Sequence, residues 1–513
     1  MKAVSQSRPA TAELREPPAR HPLVYEINTR CWLRELSERR GATATLTDAP
    51  ETELAAWRRL GFTHIWLMGV WRTGPRGREF SRRHPEVRAS AARLLPDAGG
   101  EDFVASPYAI AGYEVTAEYG GEAGLKHFRA RLAAHGLRLL LDFIPNHVGL
   151  DHPWLAARPE LFVQSKRPAP EAFLQTTPTG PRWLAHGKDP HFHAWMDTAQ
   201  LDYRNAATRA AMLAELQSVA RRCDGVRCDM AMLVLNEVFA KTWGKFSPTS
   251  IPPDTEFWAE AIRASKREQP DFLFLGEVYW ALEQRLQSLG FDFTYDKEFY
   301  DELIFRHGAG ISQRLRERSH ERLARDTRFL ENHDEPRVAA LLSPDEHRAA
   351  ALLTLGLPGM RLLHEGQLTG ARLRASVHLA RRPVEVPSPE IAAFYERLLM
   401  ALPATAVGRG EFALLSPRPA WEGNPSHENF VLAQWQSNPE QFDLVVVNLA
   451  PHPSQSYATL NVPNLAEHAW RMKNLLGVES FLRRGDELAR SGLYLDVPAH
   501  GAQLFQFTRD AQD

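Results

Sequence analysis

Residues 124–147 read Gly124-Leu-Lys-His-Phe-Arg-Ala-Arg-Leu-Ala-Ala-His-Gly136-Leu-Arg-Leu-Leu-Leu-Asp142-Phe-Ile-Pro-Asn146-His147. The stretch from Gly124 to His135 has helical spacing, and Gly136 ends it. Leu137 to Asp142 then reads as a strand with an apolar run and a carboxylate at its far end. A strand without polar alternation belongs in a parallel sheet covered by helices on both faces. The same unit recurs in both directions along the chain. Leu23–Asn28 and His64–Met68 are strands before it; Gly225–Asp229, Phe272–Glu277, Phe291–Tyr295, Thr327–Glu331 and Met360–Leu363 follow. Between them lie helical patterns such as Glu51–Leu60, Ala206–Arg221, Asp254–Arg267, His347–Leu355 and Pro389–Ala401. This alternation predicts a closed (β/α)₈ TIM barrel. A doubly wound open sheet is the weaker reading, because no Gly-rich phosphate loop follows the first strand.

Two segments interrupt the rhythm. Residues 149–205 lack clean periodicity but are rich in Pro, His and Trp, so an inserted subdomain is expected there after strand three. From about residue 406 to 513 the pattern turns to β, with Phe430–Trp435, Phe442–Asn448 and Ala502–Thr508 as strands of an antiparallel β-sandwich domain. The expected organisation is a flexible arm over 1–20, a catalytic barrel over 21–405 including the insertion, and the β domain.

Composition closes off several classes. The 513 residues carry 61 Lys+Arg against 63 Asp+Glu, a net charge of -2, which removes the electrostatic argument for nucleic acid or an anionic membrane as partner. No apolar run is long enough for a transmembrane helix, and residues 1–20 do not read as a secretory signal. Three cysteines (Cys31, Cys223 and Cys228) cannot make a disulfide framework, and a cytoplasmic setting is expected. Cys223 and Cys228 read as small core residues, and His191 and His193 lack the spacing of a metal site. Oligomeric state is not legible in the sequence.

In a barrel of this kind the active site lies where strands end. Strand three ends in Asp142-Phe-Ile-Pro-Asn146-His147, strand four in Arg227-Cys-Asp229, strand five in Glu277, and strand seven runs into Glu331-Asn-His333-Asp334. Four strands thus deliver carboxylates to one rim, with two histidines and an arginine. Carboxylates with neither a metal cage nor a Ser or Cys nucleophile suit glycosidic bonds: one carboxylate attacks and one carboxylic acid donates a proton. Asp229 and Glu277 end adjacent strands. Arg227 lies two residues before Asp229, on the same side of the strand, and is expected to hold that carboxyl ionised. Glu277 needs a raised pKa to act as the acid. His147 and His333 suit sugar hydroxyls.

The set resembles the α-amylase family of glycoside hydrolases, whose four short signatures fall in this order on strands three, four, five and seven. The resemblance runs from about residue 22 to the end. It implies Asp229 as nucleophile, Glu277 as general acid/base and Asp334 as the group that stabilises the distorted sugar. Arg227, His147, His333, Tyr108 and Asp142 are the implied substrate-binding set, with Asp142 and Asn146 also holding the strand-three loop. The implied activity is retaining hydrolysis of α-1,4-glucosidic bonds in maltooligosaccharides or starch; a glucanotransferase or trehalose-forming enzyme on the same scaffold is the alternative. The Lys-His pair that many endo-acting members carry after the nucleophile is replaced by Met230-Ala-Met232-Leu233. That weakens the family's calcium site, for which Asn146, Asp189, Asp197 and Asp202 remain candidates. No cofactor is expected, with calcium left open.

Overall fold

The computed structural model describes residues 20–246 and 253–510. The arm expected over 1–20 lies, except for Arg20, outside the described residues.

Eight parallel strands close a barrel in sequence order: β1 (Leu23–Asn28), β2 (His64–Met68), β3 (Arg138–Phe143), β4 (Gly225–Cys228), β5 (Leu273–Gly276), β6 (Phe293–Tyr295), β7 (Asp326–Arg328) and β8 (Met360–His364). The ring closes where β8 pairs with β1, Glu26 lying opposite His364. Strand period decides which residues meet inside. Val24, Trp66, Leu140, Leu275, Met360 and Leu362 belong to one interior cluster, whereas Ile27, Ile65, Leu67, Leu141 and Val226 pack outward with the helices. Counting by twos from the inner apolar positions brings Glu26, Asp142, Arg227, Asp229 and Glu277 onto the inner face at the strand ends.

The paired parts of β4, β5 and β7 are shorter than the sequence pattern suggests. Asp229, Glu277 and the stretch Phe329–Asp334 follow the last ladder residues. Asp229 and Glu277 still follow the strand direction, their N–H groups donating to Phe143 O at 2.9 Å and Cys228 O at 3.1 Å, so the inward alternation carries both carboxylates to the barrel mouth, whereas Phe329–Asp334 leaves the sheet. At the end of β2, Gly69 takes φ +80 and its N–H donates to Asp142 Oδ2 at 3.1 Å; a Cβ there would meet Pro107 at 2.7 Å. Glycine tolerates that left-handed conformation.

The insertion after β3 has order of its own. His147–Gly149 pairs antiparallel with Thr198–Gln200, closing the base of the segment. Within it, Gln164–Ser165, Ala172–Gln175 and Arg182–Ala185 form a small three-stranded sheet. At the other end of the chain, β9 (Glu411–Leu415), β10 (Phe430–Asn438), β11 (Gln441–Asn448), β12 (Ala469–Asn474), β13 (Ser480–Arg484) and β14 (Ala502–Arg509) make a six-stranded sheet ordered β9-β10-β11-β14-β12-β13. A three-stranded sheet of Pro417–Pro419, Ser454–Ala458 and Leu493–Val497 shares its apolar core. Trp435 of β10 is fully buried and donates its indole N–H to Gly356 O at 2.7 Å, tying this sheet to a barrel helix. Truncating a buried Trp to Ala costs about 3–5 kcal/mol. No helix among the described residues is long and apolar enough to cross a membrane.

Candidate active site

Register places the inner residues beside one another. Asp142 of β3 lies opposite Arg227 of β4, and Cys228 lies opposite Gly276, so Asp229 and Glu277 are the next residues on adjacent strands. Arg227, 1% exposed, bridges them: Nη1 donates to Asp229 Oδ1 at 2.7 Å and Nη2 lies 2.7 Å from Glu277 Oε2. Asp142 Oδ1 stands 3.8 Å from the same guanidinium. The rings of Trp66, Tyr108 and Tyr295 surround the Arg227 guanidinium carbon at 5.3, 5.2 and 5.9 Å. A fully buried cation is tolerated only when paired and hydrogen-bonded, and this one has both carboxylates and aromatic faces.

Burial pushes the carboxyls of Asp229 and Glu277 upward, and Arg227 opposes it at both. At Asp229 the arginine pulls the way foreseen, toward the ionised form, and taking the carboxylate out of water works against it. Glu277 carries further partners. Met230 N–H donates to Oε2 at 2.7 Å, and Tyr279 Oη donates to Oε1 at 2.8 Å. Asp142 is buried enough that its carboxyl is pushed up to about 7, again against the pull of Arg227.

Asp334 differs. Its side chain is 53% exposed and its Oδ2 lies 3.0 Å from His333 Nε2. Burial of the mouth works to raise it, but the His333 charge and hydrogen bond, with Arg227 behind, hold it well below the usual carboxylate range. Asn332 Oδ1 accepts from the backbone N–H of Asp334 and of Glu335, each at 2.9 Å, fixing the turn that carries the carboxylate. Tyr108 stacks on His333 with ring centres 5.3 Å apart and bonds its Nε2 at 2.7 Å. His147 stands at the edge, its ring 5.1 Å from Trp195, and burial lowers it to about 4, so it is neutral.

The structure therefore gathers Asp142, Arg227, Asp229, Glu277, Asp334, His333 and Tyr108 at one mouth, with His147 beside them. Two participants went unread in the sequence. Glu26, 0% exposed, holds His333 Nδ1 at 2.5 Å; its signal was a carboxylate at an inward position of an otherwise apolar strand. Tyr279 follows Glu277 by two residues and so returns to the same side.

The calcium candidates do not gather. Asp202 is paired with Arg204 at 2.8 Å, and Asp189 Oδ1 accepts from the N–H groups of His191 and Phe192. Asn146 O and Oδ1 both accept from Gln200 Nε2 at 2.9 Å. Among the described residues no three of His, Cys, Asp or Glu cluster as metal ligands.

The sequence model of the alpha-amylase catalytic domain matches residues 53–378. The chain belongs to the alpha-amylase family. Alpha-amylase MalA of Haloarcula japonica is 24% identical over 269 residues, 51% of this chain and 36% of that protein. The alpha-1,4-glucan:maltose-1-phosphate maltosyltransferase of Myxococcus xanthus is 27% identical over 267 residues, 50% of this chain and 34% of that protein. The match thus spans about a third of the length of these curated relatives. The fold is shared with the noncanonic maltogenic alpha-amylase AmyB from Thermotoga neapolitana, at TM-score 0.67 and 20% identity over 95% of this chain and 99% of that one. The chain is accordingly an alpha-amylase family enzyme, and its barrel mouth is the place to look for its chemistry.

Proposed function

We propose that this enzyme cleaves α-1,4-glucosidic bonds of maltooligosaccharides by double displacement with retention of configuration. The observation that carries the reading is the clasp of Asp229 and Glu277 by one guanidinium at the ends of adjacent strands. A planar guanidinium with a fixed fork of donors holds both carboxylates within the width of one side chain, and retaining enzymes need theirs roughly 5 Å apart. In the first step an Asp229 oxygen bonds the anomeric carbon while the glycosidic C–O bond breaks and Glu277 gives its proton to the departing oxygen. In the second, Glu277 takes a proton from water, the water oxygen bonds the anomeric carbon, and Asp229 leaves. Asp334, ionised and partly open to solvent, binds sugar hydroxyls and the developing positive charge. His333, His147 and Tyr108 line the sugar, and Asp142 with Arg227 braces the floor.

Transfer to a sugar instead of water is the second reading. A pocket of about 400 Å³ beside Met230 and Tyr279, with Phe192 and Trp280 on its wall, offers an aromatic and apolar seat for an acceptor. Incubation with maltoheptaose, with and without added glucose, separates the two. Shorter products only, unaffected by glucose, establish hydrolysis; products longer than the substrate, or glucose taken up into new sugars, establish transfer. Inversion at the anomeric carbon of the first product overturns the mechanism.

A further inference from the structure

The His333 ring stands between two carboxylates. On one side Glu26 Oε1 is 2.5 Å from Nδ1; on the other Asp334 Oδ2 is 3.0 Å from Nε2. Tyr108 Oη is 2.7 Å from the same Nε2. A neutral imidazole donates from one nitrogen only. If Nδ1 alone carried hydrogen, the lone pair on Nε2 would face the Asp334 carboxylate; if Nε2 alone carried it, the other lone pair would face buried Glu26. Both contacts are attractive only when both nitrogens carry hydrogen.

We propose that Glu26 is a positioning residue for the glycosidic reaction: from the floor of the barrel it holds the Nδ1–H of His333, fixing the ring so that Nε2–H faces Asp334. The inference rests on the reading of Asp334 as the group that stabilises the distorted sugar. Glu26 itself touches no substrate. It is two residues inward from Asn28 at the end of β1, opposite Trp66 on one side and His364 on the other. The edge of His333 also meets Trp66, ring centres 5.7 Å apart. With Tyr108 stacked on one ring face, the imidazole has no freedom to turn.

The charged and titratable groups around the ring agree. Besides Glu26 from β1 and Asp334 from its own loop, Asp142 of β3, Asp229 and Arg227 at the end of β4, His364 of β8 and the Tyr108 hydroxyl face it. Burial works against the His333 charge, but Asp334 and Glu26 together raise its pKa well above the ordinary histidine value. His364 is lowered to about 3 by burial and adds no competing charge. A carboxylate behind a histidine that orients and charges it is the logic of catalytic triads, and losing a hydrogen bond to a charged group corresponds to about 10–100-fold.

The test is Glu26→Gln in the full chain, assayed on maltoheptaose across pH beside a thermal melt. The amide keeps shape and can accept from Nδ1–H but removes the charge. The expected result is a melt near that of the unaltered enzyme, kcat lower by about 10–100-fold with KM little moved, and a new loss of activity as pH rises through the ordinary imidazole range. Glu26→Asp, which keeps the charge, should recover the pH profile in part. A folded Glu26→Gln enzyme with unchanged kcat and pH profile overturns the proposal. Should that variant not fold, nitrogen NMR of ¹⁵N-histidine-labelled unaltered protein decides, with the signal assigned by its absence in His333→Asn. A doubly protonated ring at neutral pH supports the role of Glu26, and a neutral ring overturns it. An enzyme that turns over no α-glucoside defeats the functional reading instead, and the NMR result still decides the role of Glu26.

Discussion

Arg227 Nη2 lies 2.7 Å from Oε2 of Glu277, the carboxyl that must give up a proton in the proposed first step. An arginine so close favours the carboxylate, whereas burial and neighbouring Asp229 favour the acid. The opposition is useful in a residue that must be acid in one half-reaction and base in the next, because a carboxyl poised between the two forms changes role at small cost. Asp229 shares the same guanidinium. In the proposed covalent intermediate the Asp229 charge is gone, and Arg227 faces Glu277 with only Asp142 beside it. Its pull then favours the ionised form that the second step uses.

Replacing Asp229 by Ala or Glu277 by Gln should abolish most turnover of maltoheptaose while leaving the melting temperature close to that of the unaltered chain. Both side chains lie at the mouth, so their loss opens little of the apolar core, and in each single variant Arg227 keeps its other carboxylates. Parallel loss of fold and activity in both variants would place them in the structural framework instead.

Tyr279→Phe tests the proton inventory of Glu277. The tyrosine hydroxyl donates to Oε1 at 2.8 Å and so stabilises the carboxylate form. Hydrogen bonds to charged groups contribute about 1.5–3 kcal/mol, which corresponds to about one to two pKa units. Without it the acid form persists to higher pH, and the alkaline limb of kcat/KM should move upward by that amount. A limb that stays in place, or moves down, contradicts the assignment of Glu277 as the acid.

What was legible in the sequence follows from period and proximity. The eight barrel strands showed because each is an apolar run bounded by helices, and Arg227 and Asp229 showed because two residues on one strand share a face. Glu26 could not be placed, since its partner His333 is 307 positions away and only closure of β1 against β8 brings them together. The bounds of β7 were overdrawn because Phe329 and Leu330 look like strand but turn out of the ladder to deliver His333 and Asp334. At Asp229 the arginine's pull is visible in the sequence, and the opposing depth of the mouth is not.

Gln200 bears on metal dependence. Fully buried, it points Nε2 at three carbonyl oxygens, Asn146 O, Asn146 Oδ1 and Leu201 O, at 2.9, 2.9 and 3.0 Å. The amide thereby ties the strand-three loop to the insertion with the very oxygens a hard cation would need. Melting with a chelator and with excess calcium should give the same midpoint. Gln200→Ala should lower stability by about 1–3 kcal/mol, the cost of leaving buried acceptors without a donor. A midpoint that rises with calcium in the unaltered chain would contradict this.

His64 makes acid stability testable in sign as well as size. It is 1% exposed at the start of β2, its Nδ1 2.8 Å from Thr63 Oγ1, and burial lowers it from 6.5 to about 3. Because the folded pKa is depressed, the unfolded chain binds the extra proton between those values. The neutral ring is compatible with the fold above pH 6.5, and stability is lost as pH falls from there toward 3. The slope for one proton is about 1.4 kcal/mol per pH unit. Buried carboxyls such as Asp197 and Asp443, both raised to about 6, act in the opposite sense over part of that range, so the whole-chain profile mixes the two. Comparing unaltered chain with His64→Asn isolates the single proton. Asparagine keeps a polar group at Thr63 and cannot titrate. Between pH 7 and pH 5 the variant should gain about 2 kcal/mol relative to the unaltered chain in denaturant unfolding. Two unfolding curves that run parallel over that interval would show that His64 is protonated as readily in the folded chain as in the unfolded one.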